Sequence, residues 1–180
     1  MRYPDGHKEE VSARIVKSAA RAIRKDGIDG VSIPKLMKLA GLTHGAFYGH
    51  FRDREELIEK ALLQAARDSM LSGDKPAPEA FESYLSTKHA LHPEDGCVVA
   101  TLGAEGARQK GPVRKIFAEI GRRFLRHVER RLHPDAAKDS RISDEALVTA
   151  SRIIGAIVLA RLVQDEALAE HILSAAKRSL

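Results

Sequence analysis

A chain of 180 residues is long enough for one or two modest domains, and its wealth of Ala and aliphatic residues, with no Trp and only 4% aromatics, suits a helical bundle. Thirty Lys and Arg against 25 Asp and Glu leave a formal charge of +5, which favours an anionic partner without naming it. Met1–Glu10 is polar, no apolar run approaches the roughly 20 residues that cross a bilayer, and Cys97 is the single cysteine; neither a secretory leader, a membrane partner nor a disulfide framework is expected, and the cytoplasm is the expected compartment.

In chain order, Met1–His7 reads as a basic-edged arm. Lys8–Asp26 follows as a helix with Val11, Ile15, Ala19 and Ile23 on one stripe, stopped by Gly27. Ser32–Arg54 then reads SIPKLMKLAGLTHGAFYGHFRDR, two short helical patterns around Gly41. Ser32 is a candidate N-cap, Pro34 is tolerated in a first turn, and Ile33, Leu36, Met37 and Ala40 recur at helical spacing. Thr43 is a candidate cap for the second helix, which turns Ala46, Phe47 and Phe51 inward, and Leu42 is expected in the angle between the pair. Thr43, His44, Gly45, Tyr48, Gly49 and His50 are left facing outward. Two readings remain open on these residues alone, a surface helical corner and a DNA-binding helix-turn-helix.

The stretch Ile15–Leu57 resembles the N-terminal domain of the tetracycline-repressor family of bacterial transcription regulators. The resemblance is carried by Gly27, Ser32-Ile33, Leu36, Ala40-Gly41-Leu42-Thr43, Gly45, Phe47-Tyr48, His50-Phe51, Arg54 and Leu57. Met37, where the family usually has Ala, and Pro34 depart from the pattern and bear on helix tilt. The resemblance implies an all-α protein: a three-helix DNA-binding domain over residues 1–52 and a helical ligand-binding and dimerisation body over 53–180. It also implies a homodimer on a palindromic double-stranded operator and a repressor released by a small-molecule effector. The helix from Thr43 should enter the major groove. His44 is the leading candidate for a base contact, with Thr43 and Gly45 next; Tyr48 and His50 suit phosphates, and Ser32, Lys35, Lys38 and Arg54 add to phosphate attraction.

Asp53–Met70 reads as a connecting helix with Leu57, Ile58, Ala61, Leu62 and Ala65 inward and acids in its first turn. A Gly- and Pro-bearing loop over Leu71–Pro78 is the softest boundary. Further helices are expected over Glu79–Leu91, Cys97–Gly106, a Val113–Leu132 element with an arginine-rich outer face, Asp144–Val163 and Asp165–Leu180. Candidate ligand-binding residues are Phe81, Tyr84, Leu85, Cys97, Leu102, Phe117, Ile120, Phe124, Ile154 and Val158. Candidate dimer contacts are Leu147, Ala150, Ile154, Ile157, Val158, Arg161 and Leu162.

No phosphate loop, nucleophile elbow or H-E-x-x-H pair is present, so no enzyme and no cofactor is expected. His89, His92, Glu94 and Cys97 do not match a zinc signature, and no metal site is expected. Two alternatives stand beside the ligand-released repressor. One is a repressor that senses oxidants or electrophiles through Cys97; the other is a helical interaction protein that does not bind DNA.

Overall fold

The computed structural model describes residues 7–68, 75–137 and 140–180. Of the arm expected over Met1–His7, residues 1–6 lie outside the described residues, as do residues 71–74 of the loop expected over Leu71–Pro78. Those described form helices and no strand: α1 (His7–Asp26), α2 (Ile33–Leu39), a 3-10 segment (His44–Gly49), α3 (Arg54–Arg67), α4 (Ala77–Tyr84), α5 (Thr87–Leu91), a 3-10 turn (Pro93–Asp95), α6 (Val98–Arg108), α7 (Gly111–Leu132), α8 (Asp144–Leu162) and α9 (Glu166–Arg178). None of them is long and apolar enough to cross a membrane.

Apolar spacing sorts these helices into two cores. Val11, Ile15, Ala19 and Ile23 of α1 meet Leu36 and Met37 of α2, Phe47 of the 3-10 segment and Leu57, Ile58, Ala61 and Leu62 of α3 in the first core. The second gathers Phe81, Tyr84, Leu85, Ala146, Ala150, Ile153, Ile157 and Leu173 from α4, α8 and α9. Helix α7 belongs to both, giving Val113, Phe117 and Ile120 to the first core and Phe124 and Val128 to the second. Each such side chain contributes roughly 1.5–3 kcal/mol by leaving water, so one amphipathic helix is anchored firmly at both ends. Helix α6 divides likewise, with Val98 and Leu102 in the first core and Cys97 and Ala100 in the second.

Two local outcomes differ from the periodicity. The expected helix over Glu79–Leu91 is two helices, because Ser86 caps α5 through the His89 N–H at 3.2 Å and donates its hydroxyl to Ser83 O. The helix expected from Thr43 is a 3-10 segment whose N-terminus receives no side-chain bond from Thr43. Gly45 and Gly49 each weaken a helix by about 1 kcal/mol, which lowers the preference for the α form. Gly41, at φ +72°, makes the left-handed turn expected of it, and Gly27 does so at φ +80°.

Polar bonds lock the first unit to the rest. Arg24, 2% exposed, reaches out of α1 to donate to Ala65 O at 3.2 Å and to Glu94 O at 2.7 Å. Ala65 lies in the last turn of α3, where carbonyls lack intrahelical donors, so Arg24 caps α3 and holds the Pro93–Asp95 turn in one contact. Burial lowers its pKa, and Asp68 and Asp95 oppose that by favouring the cation. Arg21 pairs with Asp95 beside it. On α6, Glu105 Oε1 accepts the Ile28 N–H at 2.9 Å, just after α1 ends. Replacing Arg24 with Met should therefore lower unfolding free energy by about 2–4 kcal/mol, since two carbonyls lose a charged donor in a buried place. Urea unfolding followed by circular dichroism checks this, and a loss below about 1 kcal/mol would contradict it.

Candidate nucleic-acid interface

The corner formed by α2 and the 3-10 segment has the form expected of a helix-turn-helix. Ser32 Oγ accepts the Lys35 N–H at 3.4 Å to start α2, and the Leu42 N–H bonds to Met37 O at 2.9 Å across the turn. Leu42 packs partly buried against the first core, in the angle assigned to it. Phe47 is fully buried and anchors the second arm, with the Phe51 ring 5.6 Å from its own. A 3-10 segment rises about 2.0 Å per residue, so these six residues extend about 12 Å instead of the ~9 Å of an α-helix.

What the corner presents outward is small and polar. Thr43, His44, Gly45, Tyr48 and Gly49 are exposed, and Tyr48 is 68% so. Tyr48 stands edge-on to both His44 and Phe47, which steadies a ring that is otherwise open to solvent. A Cβ built on Gly45 or on Gly49 meets nothing within 4 Å. Nothing inside the chain therefore requires glycine at either position.

The remaining expected contacts divide. Ser32, Lys35 and Lys38 are exposed on α2, although Lys35 Nζ already holds Asp26 at 2.9 Å. An exposed pair of this kind contributes about 0–1 kcal/mol and can be exchanged for another anion. His50 is half-buried, with Nδ1 3.0 Å from Ser12 Oγ, so it is steadied from α1. Arg54, half-buried, also bonds within the chain. Its Nη2 donates to Ile28 O and to Val31 O at 3.2 Å, so its guanidinium supports the loop between α1 and α2 from beneath. The sequence contains Arg54 but carries no sign of which carbonyls it meets.

Among the described residues, most of the expected ligand residues pack into one or other of the two cores. Leu102, Phe117 and Ile120 are spent in the first core, holding α6 and α7 to the head. Phe81, Tyr84, Leu85, Cys97 and Phe124 are packed in the second core, with Ile154 half-buried against it and Val158 half-buried on α8. Cys97, Ile120 and Phe124 line a recess of only about 30 Å³. Periodicity reports burial and is blind to voids.

The expected dimer residues divide in the same way. Ala150 and Ile157 face their own core and are correspondingly 1% and 0% exposed, while Arg161 is bound within the chain. Leu147 and Leu162 are exposed, and Ile154 and Val158 are half-buried. Val148 and Leu159, which spacing alone did not single out, extend the same outward stripe, with Leu168 of α9 exposed as well. Helix α8 carries apolar residues on more than one face, so its sequence could not reveal which stripe faces out.

A buried polar cluster, largely illegible beforehand, sits where α5, α6 and α8 meet. Arg161 donates to His89 O at 2.9 Å, Ala90 O at 3.1 Å and Thr101 Oγ1 at 3.0 Å, capping the end of α5 from α8. His89 Nε2 accepts the Cys97 N–H at 2.9 Å, so Nδ1 carries the proton and donates to Tyr84 O at 2.6 Å. Both ring nitrogens are thereby used, which leaves His89 unable to ligate a metal. Burial, and less strongly Arg161, lower its pKa to about 4 against the bonding to Tyr84. Cys97 is 1% exposed, unlike the accessible thiols that react readily. The Tyr84 hydroxyl is buried, with no partner at ordinary hydrogen-bond geometry among the described residues; burial, then Cys97, push its pKa up.

Comparison with known proteins agrees with this geometry. Residues 15–61 match the family model described as bacterial regulatory proteins, tetR family. Over 61 residues, 34% of this chain, the sequence is 36% identical to the HTH-type transcriptional regulator TtgR of Pseudomonas putida, and the match spans 29% of that protein's length. The whole fold is similar to a TetR transcriptional regulator from Chloroflexus aurantiacus, at TM-score 0.71 and 22% identity over 95% of this chain and 94% of that one. It is also similar to AibR, solved with isovaleryl coenzyme A and operator DNA, at TM-score 0.60 and 15% identity over 94% and 97% of the two chains.

Two outcomes are set by these contacts. Arg54→Ala should lower the melting temperature by several degrees through loss of its carbonyl bonds, a cost of about 1–3 kcal/mol; an unchanged melting temperature would return Arg54 to a surface role. His89 binds its proton less readily folded than unfolded, so stability is full above pH 6.5 and falls as pH drops toward about 4. The loss should be on the order of 3 kcal/mol. Urea unfolding at stepped pH should show this slope in the native protein and a flatter one in His89→Gln.

Proposed function

We propose, from the premise that its N-terminal domain belongs to the tetR family of bacterial regulatory proteins, that this chain is a sequence-specific DNA-binding transcriptional regulator. In this reading it is a cytoplasmic homodimeric repressor, released from a palindromic operator by a small-molecule effector. The observation that carries it is the 43–49 surface: glycines with open space around them, a hydroxyl not used as a cap, and exposed His and Tyr rings, all fixed by the buried Phe47. Unrequired glycines weaken a free protein, and the major groove, which admits a helix closely, supplies a reason to keep them.

Within that surface His44 reads a base edge, with Thr43 and Gly45 beside it. Tyr48, His50, Ser32, Lys35 and Lys38 hold phosphates. Dimerisation uses the outward stripe of α8, Leu147, Val148, Ile154, Val158, Leu159 and Leu162, continued by Leu168, because this much exposed aliphatic surface is costly for a free monomer. Two heads are then set for half-sites about one helical turn, roughly 34–36 Å, apart. Residues 1–52 form the reading domain and 53–180 the body, with α3 joining them through its place in the first core. An effector releases DNA by preferring a body conformation in which the heads are wrongly spaced. The burial of Cys97 favours this over thiol sensing, and the fixed, polar 43–49 surface favours DNA binding over a purely protein-binding role.

Selection from randomised duplex DNA at low salt should enrich an inverted repeat; folded dimer that enriches no motif would sink the DNA reading. Gly45→Ala separates function from folding. It should leave stability equal or raised by up to about 1 kcal/mol while weakening operator binding at least tenfold, and equal affinity would remove Gly45 from the interface. Leu162→Glu should shift the chain toward monomer in sedimentation equilibrium and lose operator affinity with it. Retention of the dimer would move the interface elsewhere.

A further inference from the structure

The cavities of the molecule differ in charge. The cleft at the junction of α1 and α2 is lined by Arg21, Lys25 and Lys35 but also by Asp26 and Glu94, and the groove beside α4 and α9 sets Glu82 against Lys177. A third cleft, of about 700 Å³, lies between the 75–77 segment, the C-terminal half of α7 and Pro134. Its described lining has Lys75, His127, Arg130 and Arg131 and no acidic residue. The size falls within the usual 300–1,000 Å³ of small-molecule sites.

His127 also lines the recess that contains Cys97, Ile120 and Phe124, together with Arg123, and that recess too has no acidic lining among the described residues. Arg123 makes an exposed contact with Glu119 at 3.8 Å. Arg130 Nη2 lies 2.9 Å from His127 Nδ1; a guanidinium only donates, so Nδ1 accepts and the neutral ring keeps its Nε2–H as a donor. Burial, followed by Arg130, Arg123 and Arg131, lowers the pKa of His127, a second sign of a positive field at this place. Pro76, Ala77 and Pro134 supply apolar walls beside these donors.

We propose that this cleft is the effector site, and that it takes a small organic anion with an apolar body. The carboxylate, sulfonate or phosphate head lies between Lys75 and Arg130, and the body rests on Pro76, Ala77 and Pro134. The ring of His127 separates the head group from the recess in the second core. A 30 Å³ recess holds about one water and no ligand, so the apolar body stays in the outer cleft unless His127 turns aside. Because α7 carries both His127 and the first-core residues Val113, Phe117 and Ile120, an anion seated here acts on the helix that also supports the reading head. This assignment rests on the effector-responsive reading above.

The probe is 8-anilino-1-naphthalenesulfonate, an anion with an apolar body, and its uncharged analogue N-phenyl-1-naphthylamine serves as control; both are titrated by fluorescence into the folded full chain without DNA. Saturable binding of the sulfonate is expected, and Lys75→Gln with Arg130→Gln should weaken it at least about tenfold, since both charged donors to the head group are then lost. The same pair should leave the uncharged analogue within about twofold, and Arg114→Gln with Arg122→Gln, two exposed arginines of α7 outside the cleft, should leave the sulfonate within about twofold. Inorganic phosphate should not displace the sulfonate at equal concentration.

No saturable binding, an unchanged affinity in the cleft variant, or equal losses in both arginine-bearing pairs would overturn the proposal, and displacement by phosphate would overturn its apolar part. Should the double variant melt early, Lys75→Gln alone, outside any helix, is expected to lose about threefold and an unchanged affinity would again overturn it. With no DNA present, failure here leaves operator binding to be judged by its own selection experiment.

Discussion

Two guanidinium groups, that of Arg24 buried and that of Arg161 half-buried, grip one short segment, and the rest of the architecture depends on that grip. Arg24 of α1 holds the Glu94 carbonyl, while Arg161 of α8 holds those of His89 and Ala90 a few residues earlier. Each is also a helix cap, Arg24 for α3 and Arg161 for α5, so local termination and long-range attachment are one set of bonds. Gly96 is the consequence in the backbone: a Cβ there would lie 2.7 Å from the His89 ring and 3.0 Å from Arg161. Lysine could not replace either arginine, because a single ammonium lacks the planar fork that reaches separate carbonyls.

Around this segment the two cores share helices. Helices α6 and α7 pass through both, and Glu105 reaches from α6 to the Ile28 amide. Well-packed interiors respond to perturbation by shifting between discrete arrangements more readily than by bending smoothly. A displacement of the C-terminal half of α7 would therefore reach Phe117 and Ile120, and through the first core α3, against which α7 packs. The reading corner itself has little freedom to absorb it, with Phe47 fully buried and Arg54 bracing the preceding loop.

Charge matters here through placement more than through the total of +5. Many cations are already committed: Lys35 to Asp26, Lys60 to Glu56, and Arg24, Arg54 and Arg161 to carbonyls. Arg123 and Arg130, which face hollows without a carboxylate in their described lining, sit instead on the C-terminal half of α7, away from the reading corner in sequence. The corner itself exposes the hydroxyls of Ser32 and Thr43 and the lysines Lys35 and Lys38, groups of the kind that hold phosphates in register.

The sequence by itself determined the helical class, the order of the helices and the corner over Ser32–Arg54, because three- and four-residue spacing and the caps at Ser32 and Gly41 are local properties of the chain. It also determined which corner residues face outward, since Phe47 can be buried only by turning Thr43, His44, Gly45 and Tyr48 away. Tertiary structure alone decided the partners of long polar side chains: Arg54 and Arg161 reach carbonyls far off in the chain, and no spacing encodes those distances. It alone decided which of the apolar faces of α8 points out, separating Leu159 and Leu162 from Ala150 and Ile157. It also decided where space remains, because a buried Phe117 and a cavity-lining Phe124 have the same periodicity, and a void is a property of several helices at once.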